Sequence, residues 1–261
     1  MQRSVLSTLQ MLELIAHSPE GLTMREIGPL CSEVSTATIY RILKTLSTEG
    51  FVVQDRDTKR YRISLRLWQL GAAALNQNHA RDVAAPFAVD LARQVRMPVG
   101  LALEEGDDMV FSEQFELHDE RVVSKPVVLR IPKLTTAAGR VFLAHQRVPD
   151  ADLRALAARL RRFTERTITG ADLLVKKVHE AGRLGYAVTL GEYWPNSGAI
   201  AAAACDFTGR PRIAVSLSLK LGDYPDGRAI NDLVARVWSP LLDCVERVSA
   251  QLGYRSAPAL S

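Results

Sequence analysis

The 261-residue sequence predicts an α+β protein built from two domains. A chain of this length is comfortable for two domains, since a domain usually holds roughly 100–200 residues. The first third has three segments with apolar residues at helical spacing, followed by two short β-prone runs. From Met97 onward, strand-like runs alternate with longer helical segments. The apolar fraction of 47% and the charged fraction of 24% are ordinary for a globular protein.

Three features of the chain lead us to expect a cytoplasmic protein without a membrane segment. The longest uninterrupted apolar run, residues 198–205, is far too short to span a bilayer. The start of the chain leads into an amphipathic helix pattern that contains Glu13, unlike a secretory signal. The cysteines Cys31, Cys205 and Cys244 show no disulfide or zinc spacing, and we expect each to pack as a small apolar residue.

The first domain, predicted over residues 1–63, opens with two helices. Apolar residues recur at helical spacing over residues 4–16, and the Pro- and Gly-containing stretch 17–21 ends that helix. Thr23 and Glu26 have the spacing of a capping box, which predicts the start of a second, short helix.

The third helix has two contrasting faces. Ser35 or Thr36 caps its start, and Gly50 supplies the usual C-terminal stop. The apolar face comprises Ile39, Ile42, Leu43 and Leu46, and the opposite face comprises Ala37, Tyr40, Arg41 and Lys44. We expect the first face to pack on a small core and the second to face outward.

The positive charge of the chain is concentrated around this helix. The net charge is +4, and residues 40–66 contain seven basic and three acidic residues, whereas the remaining chain has 26 of each. A surplus confined to one segment indicates a local anionic partner.

Two β-prone runs, residues 51–54 and 60–63, follow the third helix and flank a polar turn, which predicts a hairpin. Helix, helix, turn, helix and hairpin form a winged helix-turn-helix, whose second motif helix enters the major groove of double-stranded DNA. A solvated charged helix and a plain surface hairpin are the alternative. The predicted DNA contacts are Ser35, Thr36, Ala37, Thr38, Tyr40, Arg41, Lys44, Arg56, Lys59, Arg60 and Arg62.

Residues 21–71 resemble the N-terminal domain of IclR-type transcriptional regulators. The matching positions are Thr38-Ile39, Arg41-Ile42-Leu43, Leu46, Gly50-Phe51-Val52, Tyr61-Arg62-Ile63 and Leu67 to Gly71. The resemblance implies that residues 64–80 form a linker helix that packs against a second subunit. A homodimer or a dimer of dimers suits a palindromic operator, because a two-fold protein matches a two-fold site.

The second domain, predicted over residues 81–255, mixes strands with helices on their faces. Strand candidates are 99–103, 108–112, 126–131, 186–190, 199–205 and 212–219, and helix candidates are 135–144, 150–161, 170–184 and 227–251. This half resembles the IclR effector domain, which is a GAF-like α/β fold, on the motifs Thr136-Ala137-Ala138-Gly139-Arg140, Gly185 to Asn196, Ala199 to Ala204 and Ser216-Leu217-Ser218.

The resemblance implies a small-molecule effector site. Its contacts, carried over position by position, are Ala138, Gly139, Thr189, Ala199, Ser216 and Ser218. Thr189 stands where the family has Asp, and Ala199 stands where it has Cys, so charged and thiol contacts are replaced. We therefore expect a larger, more apolar effector such as an aromatic or lipophilic acid. Alternatively, the small residues pack tightly and the two serines face solvent or the backbone.

The sequence offers little for catalysis, a metal or a cofactor. The five histidines are scattered without His-x-x-x-His spacing, and His118 lies in a polar stretch that reads as a surface turn more readily than as a metal site. A Gly-rich phosphate loop and a Gly-x-Ser-x-Gly motif are also missing from the sequence. We expect a ligand-responsive transcriptional regulator of a catabolic operon, and the alternative is a protein-interaction scaffold that uses the winged helix as a docking module.

Overall fold

The computed structural model describes residues 3–76, 78–224 and 226–254. Its contacts divide the chain into two compact units, Met1–Gln77 and Asn78–Ser261. The division falls within the segment predicted as a linker, while the outer limits predicted for the domains, residues 1 and 255, lie outside the described residues. In this described part of the chain, no helix is long and apolar enough to cross a membrane.

Unit 1 has the predicted order of helices and hairpin. Its elements are α1 (Arg3–Ala16), α2 (Met24–Leu30), α3 (Thr36–Thr48), β1 (Val52–Gln54), β2 (Tyr61–Ile63) and α4 (Leu65–Asn76). The capping box at the start of α2 is confirmed, since the Thr23 side chain accepts from the Glu26 amide and the Glu26 carboxylate accepts from the Thr23 amide. Ser35 caps α3.

The small core of unit 1 takes one face from each of its first three helices. Its buried residues are Met11, Ile15, Ile27, Ile39, Ile42, Leu43, Leu46, Val52 and Tyr61. In α1, Met11 and Ile15 point inward, while Val5 and Leu9 are 51% and 52% exposed. The apolar repeat read from the sequence, Val5, Leu9, Leu12 and Ala16, is therefore not the buried face of α1.

Unit 2 is a six-stranded antiparallel sheet covered by helices on both faces. Its elements are α5 (His79–Val95), β3 (Val99–Glu105), β4 (Asp108–His118), β5 (Arg121–Pro132), α6 (Ala137–His145), α7 (Asp150–Ala158), α8 (Ala171–Leu184), β6 (Ala187–Leu190), β7 (Ser197–Cys205), β8 (Pro211–Lys220) and α9 (Gly227–Gln251). The strand order is β5-β4-β3-β8-β7-β6. Helices α5 and α9 pack on one face of the sheet, and α6 and α8 pack on the other.

The hairpin of β4 and β5 is longer than the apolar runs predicted. The added part mixes polar and apolar residues, and Lys125 Nζ lies 2.6 Å from Glu116 Oε2 across the strands. Asp119 and Glu120, with φ of 46° and 63°, form the tight turn, as expected of a left-handed two-residue hairpin connection. The segment that follows His118 is therefore the surface turn favoured from the sequence.

Alternation along the central strands gives the two sheet faces different sizes of side chain. The face toward α6 carries small residues, among them Ala102, Ala201, Ala203 and Ala214, while the face toward α5 and α9 carries Val99, Leu101, Ile200, Val215 and Leu217. Small side chains let α6 approach the sheet closely, because little volume separates the two backbones. Where α6 begins, the same small-residue face continues without a helix above it.

Candidate functional site

The exposed face of α3 carries the residues predicted to contact DNA. Ala37, Tyr40, Arg41 and Lys44 are exposed, and Tyr40 keeps 52% of its surface accessible although it is a large aromatic residue. The four apolar residues of the opposite face are buried in the core of unit 1. The two faces predicted from periodicity are therefore confirmed, while contact with DNA at each residue stays a prediction.

Ser35 shapes the beginning of α3. Its hydroxyl accepts from the Thr38 amide at 3.3 Å and lies 2.9 Å from the Thr38 hydroxyl. The amides of the first helical turn have no partner within the helix, and the positive end of the helix dipole favours a phosphate there. Ser35 and Thr36 are exposed, and Thr38 is half-buried.

The hairpin β1–β2, called the wing from here on, carries four predicted contacts of two kinds. Arg56 and Lys59 lie in its exposed tip, and within the described residues neither side chain has an ion-pair partner. Arg60 instead reaches α2, where its guanidinium pairs with Glu26 at 2.9 Å. Arg62 is exposed, and its Nε donates to the Glu20 carbonyl at 3.3 Å. For Arg60 and Arg62, the expected contact with DNA phosphates therefore competes with these contacts inside the protein.

A cavity of about 100 Å³, called the effector cavity from here on, lies on the small-residue face of the sheet in unit 2, where α6 begins. Four of the predicted effector contacts, Thr189, Ala199, Ser216 and Ser218, line it. Strand register brings them together: Thr189 pairs with Ala199, Ala199 with Ser218, and Ser216 with Gly100. Space thus remains between these residues, and binding of an effector at them stays a prediction.

The rest of the lining divides into an apolar and a polar part. The apolar part includes Phe111, Val127, Leu129, Ile131, Ala137, Tyr193 and Trp194, and the polar part includes Gln114, Thr135, Thr136 and Ser197. Thr136 caps α6, and its hydroxyl accepts from the Gly139 amide at 2.9 Å. The Ala137 amide precedes the first intrahelical bond and belongs to a residue of the lining, so it is the donor available to an anion at this helix start.

Ala138 and Gly139 do not line the effector cavity. Both are fully buried at the start of α6, and the cavity wall is formed one turn earlier, by Thr135 to Ala137. Gly139 has a structural reason to be glycine, because a Cβ there would lie 2.2 Å from the Lys133 carbonyl oxygen. Its amide is already bonded to Thr136, so the direct contact expected at Gly139 is replaced by a role in helix packing.

A buried ion pair beside the cavity was not predicted from the sequence. Arg140 Nη1 and Nη2 donate to the two Glu192 carboxylate oxygens at 2.9 and 2.5 Å, and Arg140 Nε donates to the Leu134 carbonyl at 3.0 Å. The side chains are 1% and 6% exposed. Glu192 and Glu113 both line the effector cavity, so its lining carries carboxylates although Thr189 replaces the acid of the family motif. The sequence signal for this pair was a single charged residue in each of two otherwise uncharged motifs, residues 136–140 and 185–196.

The loop after β6 forms one wall of the effector cavity and is held from several sides. The Thr167 hydroxyl donates to the Glu192 carbonyl at 2.7 Å, and the Thr164 hydroxyl donates to the Gly191 carbonyl at 2.6 Å. The Tyr193 ring centroid lies 4.8 Å from that of Trp194 in an edge-to-face arrangement. Fixed anchors of this kind preorganise the wall for a ligand.

A larger groove of about 1210 Å³ lies at the other end of the same sheet. Its lining includes Ala203, Cys205 and Arg212 but none of the predicted effector contacts. Burial raises the pKa of the Cys205 thiol to about 11 and that of the Cys244 thiol to about 12, so neither is an activated nucleophile.

Comparison with known families agrees with this architecture. Residues 4–56 match the IclR helix-turn-helix domain, and residues 72–250 match the C-terminal domain of bacterial transcriptional regulators of the IclR type. The second match alone covers more than half of the chain.

Individual relatives extend over nearly the whole chain. It is 31% identical over 245 residues to the glycerol operon regulatory protein of Streptomyces coelicolor, with 93% of each protein covered. It is 27% identical over 256 residues to the HTH-type transcriptional regulator BhcR of Paracoccus denitrificans, covering 98% of this chain and 88% of the relative. These relatives favour a regulator over the docking module considered above, and they are named as regulators rather than enzymes.

Solved structures show the same fold. An IclR transcriptional regulator from Alicyclobacillus acidocaldarius superposes with a TM-score of 0.76 at 26% identity, covering 97% of this chain and all of that one. An IclR homologue from Microbacterium hydrocarbonoxydans, solved in complex with 4-hydroxybenzoate, has a TM-score of 0.76 at 22% identity, covering 96% and 99% of the two chains. The helix-turn-helix with its wing, the effector-type domain and the two family matches together show that the chain is a DNA-binding transcriptional regulator of the IclR family.

Proposed function

We propose that this regulator is controlled by a compact aromatic acid that binds in the effector cavity. The observation that carries the proposal is the mixed lining of that cavity. Strands β4 and β5 contribute Phe111 and branched apolar residues, and β6 and β8 contribute hydroxyls, while Thr136 and Ala137 bring the start of α6 to the lining. An aromatic acid matches both parts, because its ring is apolar and its carboxylate suits a helix N-terminus.

The volume of the effector cavity limits the size of the effector that we propose. A volume of about 100 Å³ is below the range of roughly 300–1,000 Å³ that holds drug-sized ligands. It is comparable to apolar cavities of about 150 Å³ that accept benzene. We therefore restrict the larger, apolar effector expected from the sequence to molecules with one ring.

Size alone admits both a one-ring acid and a shorter acid, and the chemistry of the lining favours the ring. Short oxo acids are polar over their whole surface and need polar partners on every side. Phe111, Leu129 and Ile131 offer none, whereas Thr189, Ser216 and Ser218 offer hydroxyls from β6 and β8. The name of the Microbacterium structure records 4-hydroxybenzoate in a protein of the same fold, which makes this acid a suitable probe.

On the DNA side, we propose that α3 enters the major groove with Tyr40, Arg41 and Lys44 toward the bases. Ser35, Thr36 and Thr38 then meet phosphates at the helix start, Ala37 lies against the groove, and Arg56 and Lys59 in the wing tip contact the backbone. We further propose a cytoplasmic homodimer or dimer of dimers on a palindromic operator of a catabolic operon. Its parts are a DNA-binding domain at 1–63, a linker at 64–80 and an effector domain at 81–255.

Calorimetric titration tests the effector. We expect benzoate or 4-hydroxybenzoate to bind the full chain more tightly than glyoxylate or pyruvate. Ala199→Leu fills the effector cavity and should abolish that binding, while Ala151→Leu makes the same change on the exposed face of α7 and should preserve it. Preferential binding of glyoxylate or pyruvate would contradict the proposal, as would unchanged binding by the Ala199 variant.

A further inference from the structure

The wing is fastened to the turn that precedes α2. The Leu22 amide donates to the Tyr61 carbonyl at 3.0 Å, and the Tyr61 amide donates to the Leu22 carbonyl at 2.7 Å. Gly21 makes this approach possible, because its φ is +72° and a Cβ there would lie 2.5 Å from the Tyr61 carbonyl oxygen. The turn thus lies beside β2 like a very short third strand.

Arg60 adds a side-chain connection between the wing and α2. Its Nη1 donates to the Gly21 carbonyl at 2.7 Å and to Glu26 Oε2 at 3.0 Å, and its Nη2 donates to Glu26 Oε1 at 2.9 Å. A guanidinium has five N–H donors, so three of them are engaged within the protein. The paired contact with both carboxylate oxygens is the geometry in which arginine binds most strongly.

Glu26 is itself fixed to the start of α2. Its Oε2 accepts from the Thr23 amide at 2.8 Å and from the Thr23 hydroxyl at 3.0 Å. These hydrogen bonds, the backbone one foremost, and the nearby Arg60 guanidinium lower the pKa of the Glu26 carboxyl. A continuous chain of contacts therefore runs from the helix-turn-helix through a carboxylate to the wing.

We infer that Arg60 is a positioning residue for DNA recognition, which sets the angle of the wing through Glu26 and does not itself neutralise a phosphate. A paired phosphate contact through both Nη atoms would require the guanidinium to release Glu26 and leave that carboxylate without its partner. The wing tip already supplies Arg56 and Lys59, whose side chains have no carboxylate partner among the described residues. This inference rests on the proposed binding of DNA by α3 and the wing.

The salt dependence of DNA binding separates a positioning role from a phosphate contact. Each phosphate contact adds about 0.9 to the slope of log affinity against log salt. Binding is measured with the full chain on duplex DNA from the region upstream of its own gene and on a random duplex of equal length. We expect Arg60→Gln to weaken binding to the upstream duplex by roughly three- to tenfold with an unchanged salt slope. Lys59→Gln is the control in the same wing, with an expected loss of about 0.9 in slope.

Two further variants distinguish a positioning role of Arg60 from a phosphate contact. Glu26→Gln removes an acid, so it should tighten binding if Arg60 is then free to meet a phosphate, but should weaken binding to the upstream duplex if Arg60 only positions the wing. Arg60→Lys keeps the charge but cannot span both oxygens, so we expect it to behave like Arg60→Gln. Melting temperatures close to wild type show that each variant is folded.

The outcomes distinguish this inference from the proposed function. Tighter binding by Glu26→Gln, a reduced slope with Arg60→Gln, or wild-type binding by Arg60→Lys would overturn the positioning role while leaving DNA recognition intact. A wild-type chain with equal affinity for both duplexes would instead contradict the proposed use of α3.

Discussion

Removal of the Arg140 guanidinium tests how the effector cavity is held. Arg140→Met leaves the Glu192 carboxylate inside the protein without its ion-pair partner. Both side chains are almost completely buried, at 1% and 6% exposure, and the guanidinium makes two bonds to Glu192 and one to the Leu134 carbonyl. Breaking a buried pair from one side costs about 3–5 kcal/mol, because the remaining charge has lost its compensation.

The expected thermal shift follows from the size of unit 2. For a domain of 150–250 residues, 1 kcal/mol lowers the melting temperature by roughly 2–4 °C. Arg140→Met should therefore lower the unfolding temperature of unit 2 by about 6–20 °C, as measured by calorimetry or circular dichroism on the full chain. The transition of unit 1 should stay in place, because the pair lies within unit 2.

The double variant Arg140→Met/Glu192→Met supplies the control. Replacing both partners of a buried pair by apolar residues of similar volume is often nearly neutral. We expect it to recover at least half of the stability lost by Arg140→Met. A loss below about 1 kcal/mol in the single variant, or simple additivity in the double variant, would refute the reasoning about this pair.

Further predictions concern DNA contacts, a close backbone approach and thiol reactivity. Arg41→Ala should weaken binding to a specific site by about 1–3 kcal/mol and relax the sequence preference of the protein. Lys59→Ala should weaken binding to all DNA sequences similarly. Equal losses of affinity for specific and random DNA with Arg41→Ala would show that Arg41 contacts only the DNA backbone. Gly139→Ala should destabilise unit 2 by about 1–3 kcal/mol in denaturant titrations, since the new Cβ would lie 2.2 Å from a carbonyl oxygen. Gly28→Ala in α2 should instead stabilise unit 1 by about 0.5–1 kcal/mol, since its Cβ would meet no heavy atom within 4 Å beyond the adjoining backbone of its own helix. The thiol of Cys244, with a pKa raised to about 12 by burial, should resist a thiol reagent at pH 8 until the protein unfolds, and rapid labelling of the native protein would contradict that burial.

Local patterns predicted most of unit 1. The capping box at Thr23 and Glu26, the two faces of α3 and the short hairpin each depend on residues close in sequence, and each was found in the structure. The pairing of Arg60 with Glu26 was missed because it joins positions 34 residues apart. A basic residue in a wing has the same sequence pattern whether it contacts DNA or its own protein.

Unit 2 was predicted less completely, for physical reasons. The extended part of the β4–β5 hairpin mixes apolar residues such as Phe115 and Val122 with polar ones, so it lacks the continuous apolar run that marks a strand. Cross-strand pairs such as Lys125 with Glu116 join the two strands there. That Thr189 and Ser218 share one cavity lining was expected from family resemblance and not from periodicity. The Arg140–Glu192 pair has no periodic signal, since burial of a single charge depends on a partner 52 residues away.

The central claim is that α3 reads DNA sequence through its exposed face, and a competition binding assay tests it most directly. Fluorescence anisotropy of the full chain at about 150 mM salt would compare duplex DNA from the region upstream of its gene with a random duplex of equal length. We predict that the upstream duplex binds at least roughly 10³-fold more tightly, and that Arg41→Ala removes much of that preference. Equal affinity of the wild-type chain for the two duplexes, or a preference unaffected by Arg41→Ala, would contradict the claim.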